Sequence, residues 1–210
     1  MKLLVIRHGQ SEGDVTNTIE GRYDASLTEL GIKQASLMAD WVAEKYDVDK
    51  IFTSPLKRAG RTAEILSKRV GVSVEYDDEL MEWNTGLLSG LNKEYASEKY
   101  PVLQIKYPHT SAYEQESDIQ LRMRAEAALS KILNENPPDS TVAVVSHGLF
   151  IWNLGYSFLR LPVTSNFIRF PIGDTGIHEW HVDGENRTVV HVNQRRHLEG
   201  LTAAEYSESR

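Results

Sequence analysis

Residues 3–9 read Leu3-Leu4-Val5-Ile6-Arg7-His8-Gly9, and residues 142–148 read Val142-Ala143-Val144-Val145-Ser146-His147-Gly148. Each begins with four unbroken apolar residues. A strand buried on one face alternates apolar with polar, whereas a short continuous run marks a strand covered on both. Each run then gives way to a polar residue, a histidine and a glycine. Glycine at such a place lets the chain turn sharply or lets a ligand approach the backbone. Two strands that end alike predict two histidines on one rim.

The chain around these strands alternates with helical patterns. Leu30, Leu37, Met38, Trp41 and Val42 follow helical spacing after Thr28, a plausible N-cap. Ile51 and Phe52 form a second short strand. Ser54 and Pro55 then read as the N-cap and first residue of a helix through Leu56, Ala59, Ala63, Leu66 and Val70, stopped by Gly71. Ser73–Tyr76 is another strand. Ser117 and Gln120 have capping-box spacing and open a helix with an apolar face of Leu121, Ala125, Ala128, Leu129 and Ile132. Asn136-Pro137-Pro138 ends it. Leu149 to Leu161 is a broadly apolar helix. Phe167–Phe170, Ile177–Val182 and Thr188–Val192 read as late strands, and the polar tail after Leu198 is expected to fray. The stretch from about residue 83 to 116, with four tyrosines and two X-Pro bonds, reads as a loop-and-helix excursion.

These patterns predict an α/β fold with a mainly parallel central sheet and helices on both faces, as one domain over residues 1–210. In such sheets ligands gather beyond the carboxyl ends of the strands.

Composition excludes other classes. The 210 residues carry 40% hydrophobic and 25% charged side chains and a formal net charge of −7. A chain of this length buries roughly 70% of its unfolded surface. It has no cysteine, which removes disulfides, thiolate zinc sites and a cysteine nucleophile. No apolar run approaches the ~20 residues of a membrane span. The start, with one lysine and few apolar residues before Arg7, is too weak for a secretory signal, so a cytoplasmic protein is expected. Net acidity argues against nucleic acid as a partner. Nothing in the pattern separates a monomer from a homodimer.

Arg58 joins the histidine rim by position. It falls in the first turn of the helix after the second strand, and side chains on a helix lean toward its N-terminus. Arg7, Arg58, His8, His147 and a helix N-terminus make a set suited to a dianion, most simply a phosphoryl group, which arginine grips by two oxygens. The alternative is that Arg7 and Arg58 are ordinary surface ion pairs. His178 and His181 fall in one strand, three residues apart and therefore on opposite faces, which disfavours a shared metal. His191 and His197 have no partner pattern. Gln194–His197 reads as a solvated face and Trp41 as core.

Arg7-His8-Gly9-Gln10-Ser11-Glu12 resembles the signature of the histidine phosphatase superfamily, which includes the phosphoglycerate mutases and related phosphatases. Gly21-Arg22-Tyr23-Asp24 with Leu27–Gly31, Thr53–Ala59, Leu80-Met81-Glu82, Gly90-Leu91, Glu116-Ser117 and Val145–Gly148 continue the likeness in order over about residues 2–198. The resemblance implies that His8 is a nucleophile forming a phosphohistidine. Arg7, Arg58 and His147 would hold the non-bridging oxygens, and Glu82 would be the proton donor. It implies no metal and no cofactor, and a small phosphorylated substrate as partner. Ser11, Asp14 and Gly21, with Trp83, Lys93 and His109, are the expected substrate-binding residues.

Within the superfamily the chain is closer to the phosphatases. Where the mutases have an arginine and a tyrosine after the glutamate, this chain has Trp83 and Thr85, and the mutases' paired substrate arginines have no counterpart between Lys93 and Glu116. Asp14 and Glu20 are expected to add carboxylates near the mouth. Hydrolysis of a monoester is the favoured reading. Phosphoglycerate mutase activity, which Gly90–Lys93 resembles, and a non-catalytic phospho-ligand-binding relative are the alternatives.

Overall fold

The computed structural model describes residues 1–104, 107–163, 169–202 and 204–205. Its strands are β1 (Lys2–Arg7), β2 (Lys50–Thr53), β3 (Val74–Tyr76), β4 (Thr141–Ser146), β5 (Ile177–Asp183) and β6 (Asn186–Gln194). Its helices are α1 (Glu12–Val15), α2 (Glu29–Lys45), α3 (Lys57–Val70), α4 (Lys93–Lys99), α5 (Asp118–Glu135) and α6 (Gly148–Phe158). The strands form one sheet in the order β3-β2-β4-β1-β5-β6. β3, β2, β4 and β1 are mutually parallel, while β5 runs antiparallel to β1, and β6 to β5.

The unbroken apolar runs are explained by two cores. Side chains on a strand alternate between faces. Leu3, Val5, Val142 and Val144 pack with Leu121, Leu129 and Ile132 of α5 and Phe150, Leu154 and Phe158 of α6. Leu4, Ile6, Ala143 and Val145 pack on the other face with Met38 and Val42 of α2 and Ala63 and Leu66 of α3. Each fully buried side chain of this kind contributes about 1.5–3 kcal/mol of transfer free energy. β1 and β4 pair in register from Lys2 with Thr141 to Arg7 with Ser146. The next residues of both strands are His8 and His147, so the register sets the two rings side by side.

The local signals map closely. Thr28 caps α2 by accepting from Gly31 N, Ser117 and Gln120 form a capping box on α5, and Gly71 ends α3 at φ 77°. The start of α3 is a correction. The helix begins at Lys57 with Leu56 as an N-cap that makes no side-chain bond. Ser54 stands ahead of it: its hydroxyl accepts from Leu56 N at 3.3 Å rather than from an N–H of α3 itself, and also meets His147 Nε2 at 2.8 Å. The tail is a second correction. Leu198 and Leu201 are buried, and Glu205 accepts from Lys33 Nζ at 2.7 Å, so the chain stays docked to α2 as far as Glu205, whereas residues 206–210 lie outside the described residues. The strand expected at Phe167–Phe170 lies partly outside the described residues, and Arg169 and Phe170 are in no strand. The excursion contains α4, capped by Asn92. His178 is wholly buried, whereas His181 pairs with Glu179. His197 does have a partner: it is buried against Thr175, and its ring packs near Trp41, which is half-buried. No helix among the described residues is long and apolar enough to cross a membrane.

Candidate active site

His8 is 2% exposed, just beyond β1. Its Nδ1 lies 2.7 Å from Gly9 O. A carbonyl only accepts, so Nδ1 carries the ring proton and Nε2 carries the lone pair. Nε2 accepts from Arg58 Nε at 3.2 Å. Gly9 is required by close approach: a Cβ there would stand 2.5 Å from Gly31 O at the start of α2. The His147 ring centre is 5.1 Å from that of His8, and its Nε2 lies 2.8 Å from Ser54 Oγ. Burial first, then Arg58 and Arg7, push the His8 imidazole well below its usual range. Burial, Arg58, His8 and Arg7 do the same to His147. Both rings are therefore held neutral.

Arg58 is wholly buried. Its two terminal nitrogens donate to Tyr23 O at 2.8 Å and Gly21 O at 2.9 Å, which fixes the plane of the guanidinium. Gly21 has φ 49°, and a side chain there would collide with Thr85. Its glycine thus turns a carbonyl toward Arg58 where other residues would strain. Arg7 donates to Ile172 O at 3.0 Å and pairs with Asp14 at 3.3 Å and Asp174 at 3.4 Å.

The two carboxylates expected near the mouth lie within this cluster instead. Asp14 is the third residue of α1 and closes a capping box with Ser11. Glu20 Oε2 stands 3.4 Å from Arg58 Nε. Ser11 is buried, with its hydroxyl committed to Asp14 and Glu20.

Glu82 sits at the start of α6. Its Oε1 accepts from Trp83 N at 2.8 Å and Phe150 N at 3.0 Å, and its Oε2 from Leu149 N at 3.2 Å. His147 is the N-cap of α6 but makes no capping bond, so the carboxylate of Glu82 satisfies the free N–H groups. Arg124 of α5, which the sequence did not single out, braces this segment. It donates to the carbonyls of Glu79 at 2.6 Å, Met81 at 2.6 Å and Glu82 at 3.2 Å. It also grips both oxygens of Glu116 at 3.0 and 2.9 Å. Glu116 in turn accepts from Asn84 N, and its carbonyl from Trp83 Nε1. Helical spacing gave no signal for this pair, because Glu116 precedes the N-cap Ser117 and lies outside α5.

The other expected substrate-binding residues divide. Trp83 lines a cavity of about 120 Å³ with Asp118, Leu121, Leu149, Trp152, Asn153 and Arg169. Lys93 is exposed at the start of α4, tied through its backbone to Asn17. His109 is exposed and stacked on Tyr107 at 5.6 Å. Among the described residues no hydrogen bond or ion pair joins Lys93 or His109 to His8, Arg58 or Glu82. No group of three or more described His, Asp or Glu side chains is placed to hold a metal ion.

The family model of the histidine phosphatase superfamily (branch 1) matches residues 3–195. Phosphoserine phosphatase 1 of Hydrogenobacter thermophilus is 28% identical over 202 residues, covering 94% of this chain and 94% of that protein. A probable phosphoglycerate mutase of Photorhabdus laumondii is 32% identical over 166 residues, covering 77% of this chain and 76% of its own length. The structure of a mycobacterial glucosyl-3-phosphoglycerate phosphatase with VO3 superposes with a TM-score of 0.81 at 26% identity, covering 91% of this chain and 98% of that one.

Proposed function

The chain belongs to the histidine phosphatase superfamily, and from that premise we propose that it hydrolyses phosphomonoesters through a phosphohistidine at His8. The observation that carries the reading is the bond from His8 Nδ1 to Gly9 O, which leaves Nε2 as a neutral nucleophile beside Arg58. In the first step Nε2 attacks phosphorus in line. An N–P bond forms, the ester P–O bond breaks, and Glu82 protonates the departing oxygen. In the second step Glu82 takes a proton from water, the water oxygen bonds to phosphorus, and the N–P bond breaks to release phosphate. The Arg58 N–H that now meets Nε2 turns to a phosphoryl oxygen, with Arg7 and His147 beside it.

Water rather than a second hydroxyl is the acceptor. Arg7 and Arg58 face Asp14, Asp174 and Glu20, so the phosphoryl group itself already meets a cluster rich in carboxylates, and a second anionic group beside it would add further repulsion. Lys93, the residue most like the mutases, is exposed and outside the cluster. The leaving alcohol would lie against Trp83 and Leu149, whose N–H groups both hold Glu82. Phosphoserine and glucosyl-3-phosphoglycerate, named for the relatives, are the first esters to assay.

The test is hydrolysis of an aryl phosphate by wild-type protein and by His8→Ala, with folding followed by circular dichroism. The variant should keep its fold and lose at least about a thousandfold in rate. Wild-type turnover by that variant would end the reading.

A further inference from the structure

Glu20 stands in the path of the phosphoryl group. Its Oε2 lies 3.4 Å from Arg58 Nε, the nitrogen that also donates to His8 Nε2. A phosphoryl group reaching His8 must take over that N–H, and with it the place of the carboxylate.

The other contact of Glu20 counts protons. Ser11 Oγ is 2.7 Å from Glu20 Oε1 and 2.9 Å from Asp14 Oδ2, and it accepts from Asp14 N. A hydroxyl has one hydrogen and donates to one carboxylate. The remaining contact becomes a hydrogen bond when a carboxyl brings its own proton. Asp14 is not that group. Burial pushes its carboxyl up, but Arg7 and the Ser11 bonds outweigh this and hold it below the usual range. Burial drives Glu20 above its usual range against the pull of Arg58 and Ser11, and Asp14 adds to the rise. The charged groups facing Glu20 are thus Arg58 from α3, Arg7 from β1 and Asp14 from α1.

Resting on the reading of this cluster as a phosphoryl site, we propose that Glu20 is a proton-linked specificity residue that releases Arg58 and binds one proton from solvent as the phosphoryl group enters. Two negative groups cannot share Arg58 without a proton between them. Protonated Glu20 can then donate to the phosphoryl group instead of repelling it. Phosphate affinity therefore falls with rising pH once the free protein has Glu20 ionised.

The experiment is calorimetric binding of inorganic phosphate from pH 5 to 8.5 by wild type, Glu20→Gln and Glu20→Ser. The ionisation of phosphate is common to all three, so affinity ratios isolate Glu20. Glu20→Gln should bind about as tightly as wild type at pH 5 and about tenfold or more tighter at pH 8. At pH 8, where free Glu20 is ionised, sulfate, a dianion throughout, should draw a proton into wild-type protein in buffers of differing ionisation heat, and less into either variant. The proposal is overturned by a ratio that does not change with pH, by weaker binding in both variants at every pH, or by no proton uptake with sulfate. Absence of phosphate binding by wild type would sink the phosphoryl site itself. Binding that is intact but indifferent to Glu20 would sink only this proposal.

Discussion

At the scale of single residues, burial rather than sequence identity decides which protons the protein will hold. His178 is wholly buried with Phe170 and Trp180 near its ring, and burial drives it down to about 4. Burial first, then Arg195, drives His197 to about 4 as well. Above pH 6.5 folded and unfolded chains both leave these rings neutral. Between 6.5 and 4 the unfolded chain binds protons that the folded one refuses. Stability therefore drops as pH falls through that window and levels off below it, by up to about 3 kcal/mol for each ring. Urea unfolding at pH 7.5 and pH 5 should show the loss, and His178→Phe should reduce it. An unchanged difference between the two pH values in that variant would contradict the assignment. His8, His147, Arg7 and Arg58 were legible as a set because two matched strand ends and one helix start flagged them. The positions of Asp14 and Glu20 within the cluster were not, because α1 is a single turn of four residues and Glu20 lies outside any regular element, so neither gives a spacing from which its direction can be read.

At the scale of elements, α5 does more than cover the sheet. Through Arg124 and Glu116 it fixes the backbone from Glu79 to Asn84, and with it the carboxyl of Glu82. Arg124 also stacks on Phe150 at 5.0 Å, which joins the brace to α6. Arg124→Ala should lower kcat by about 10–100-fold with little change in KM. The loss should be larger for an alkyl phosphate than for 4-nitrophenyl phosphate, whose leaving oxygen hardly needs a proton. Arg124→Lys should recover part of it. Equal losses for both esters would mean that Arg124 serves the fold alone. Helix boundaries were legible wherever a cap made its own local bond, as at Thr28, Ser117 and Gly71. They failed at Ser54, whose hydroxyl accepts from Leu56 N just ahead of α3 and is shared with a buried tertiary partner, His147.

At the scale of the whole molecule, a protein of net charge −7 builds a site for an anion by topology. β1 and β4 are adjacent and parallel although far apart in sequence, so their ends present two histidines together. β2 leads on the other side of β4 into Ser54 and Arg58. The central claim is that this convergence makes His8 Nε2 a phosphoryl acceptor. It is tested by mixing the protein with an isotopically labelled monoester, quenching within milliseconds, and locating the label by peptide mass spectrometry. The account predicts an acid-labile phosphoryl group on the peptide containing His8, absent from His8→Ala. A label on another residue, or continued turnover with no covalent phosphoryl group at any time, would contradict it.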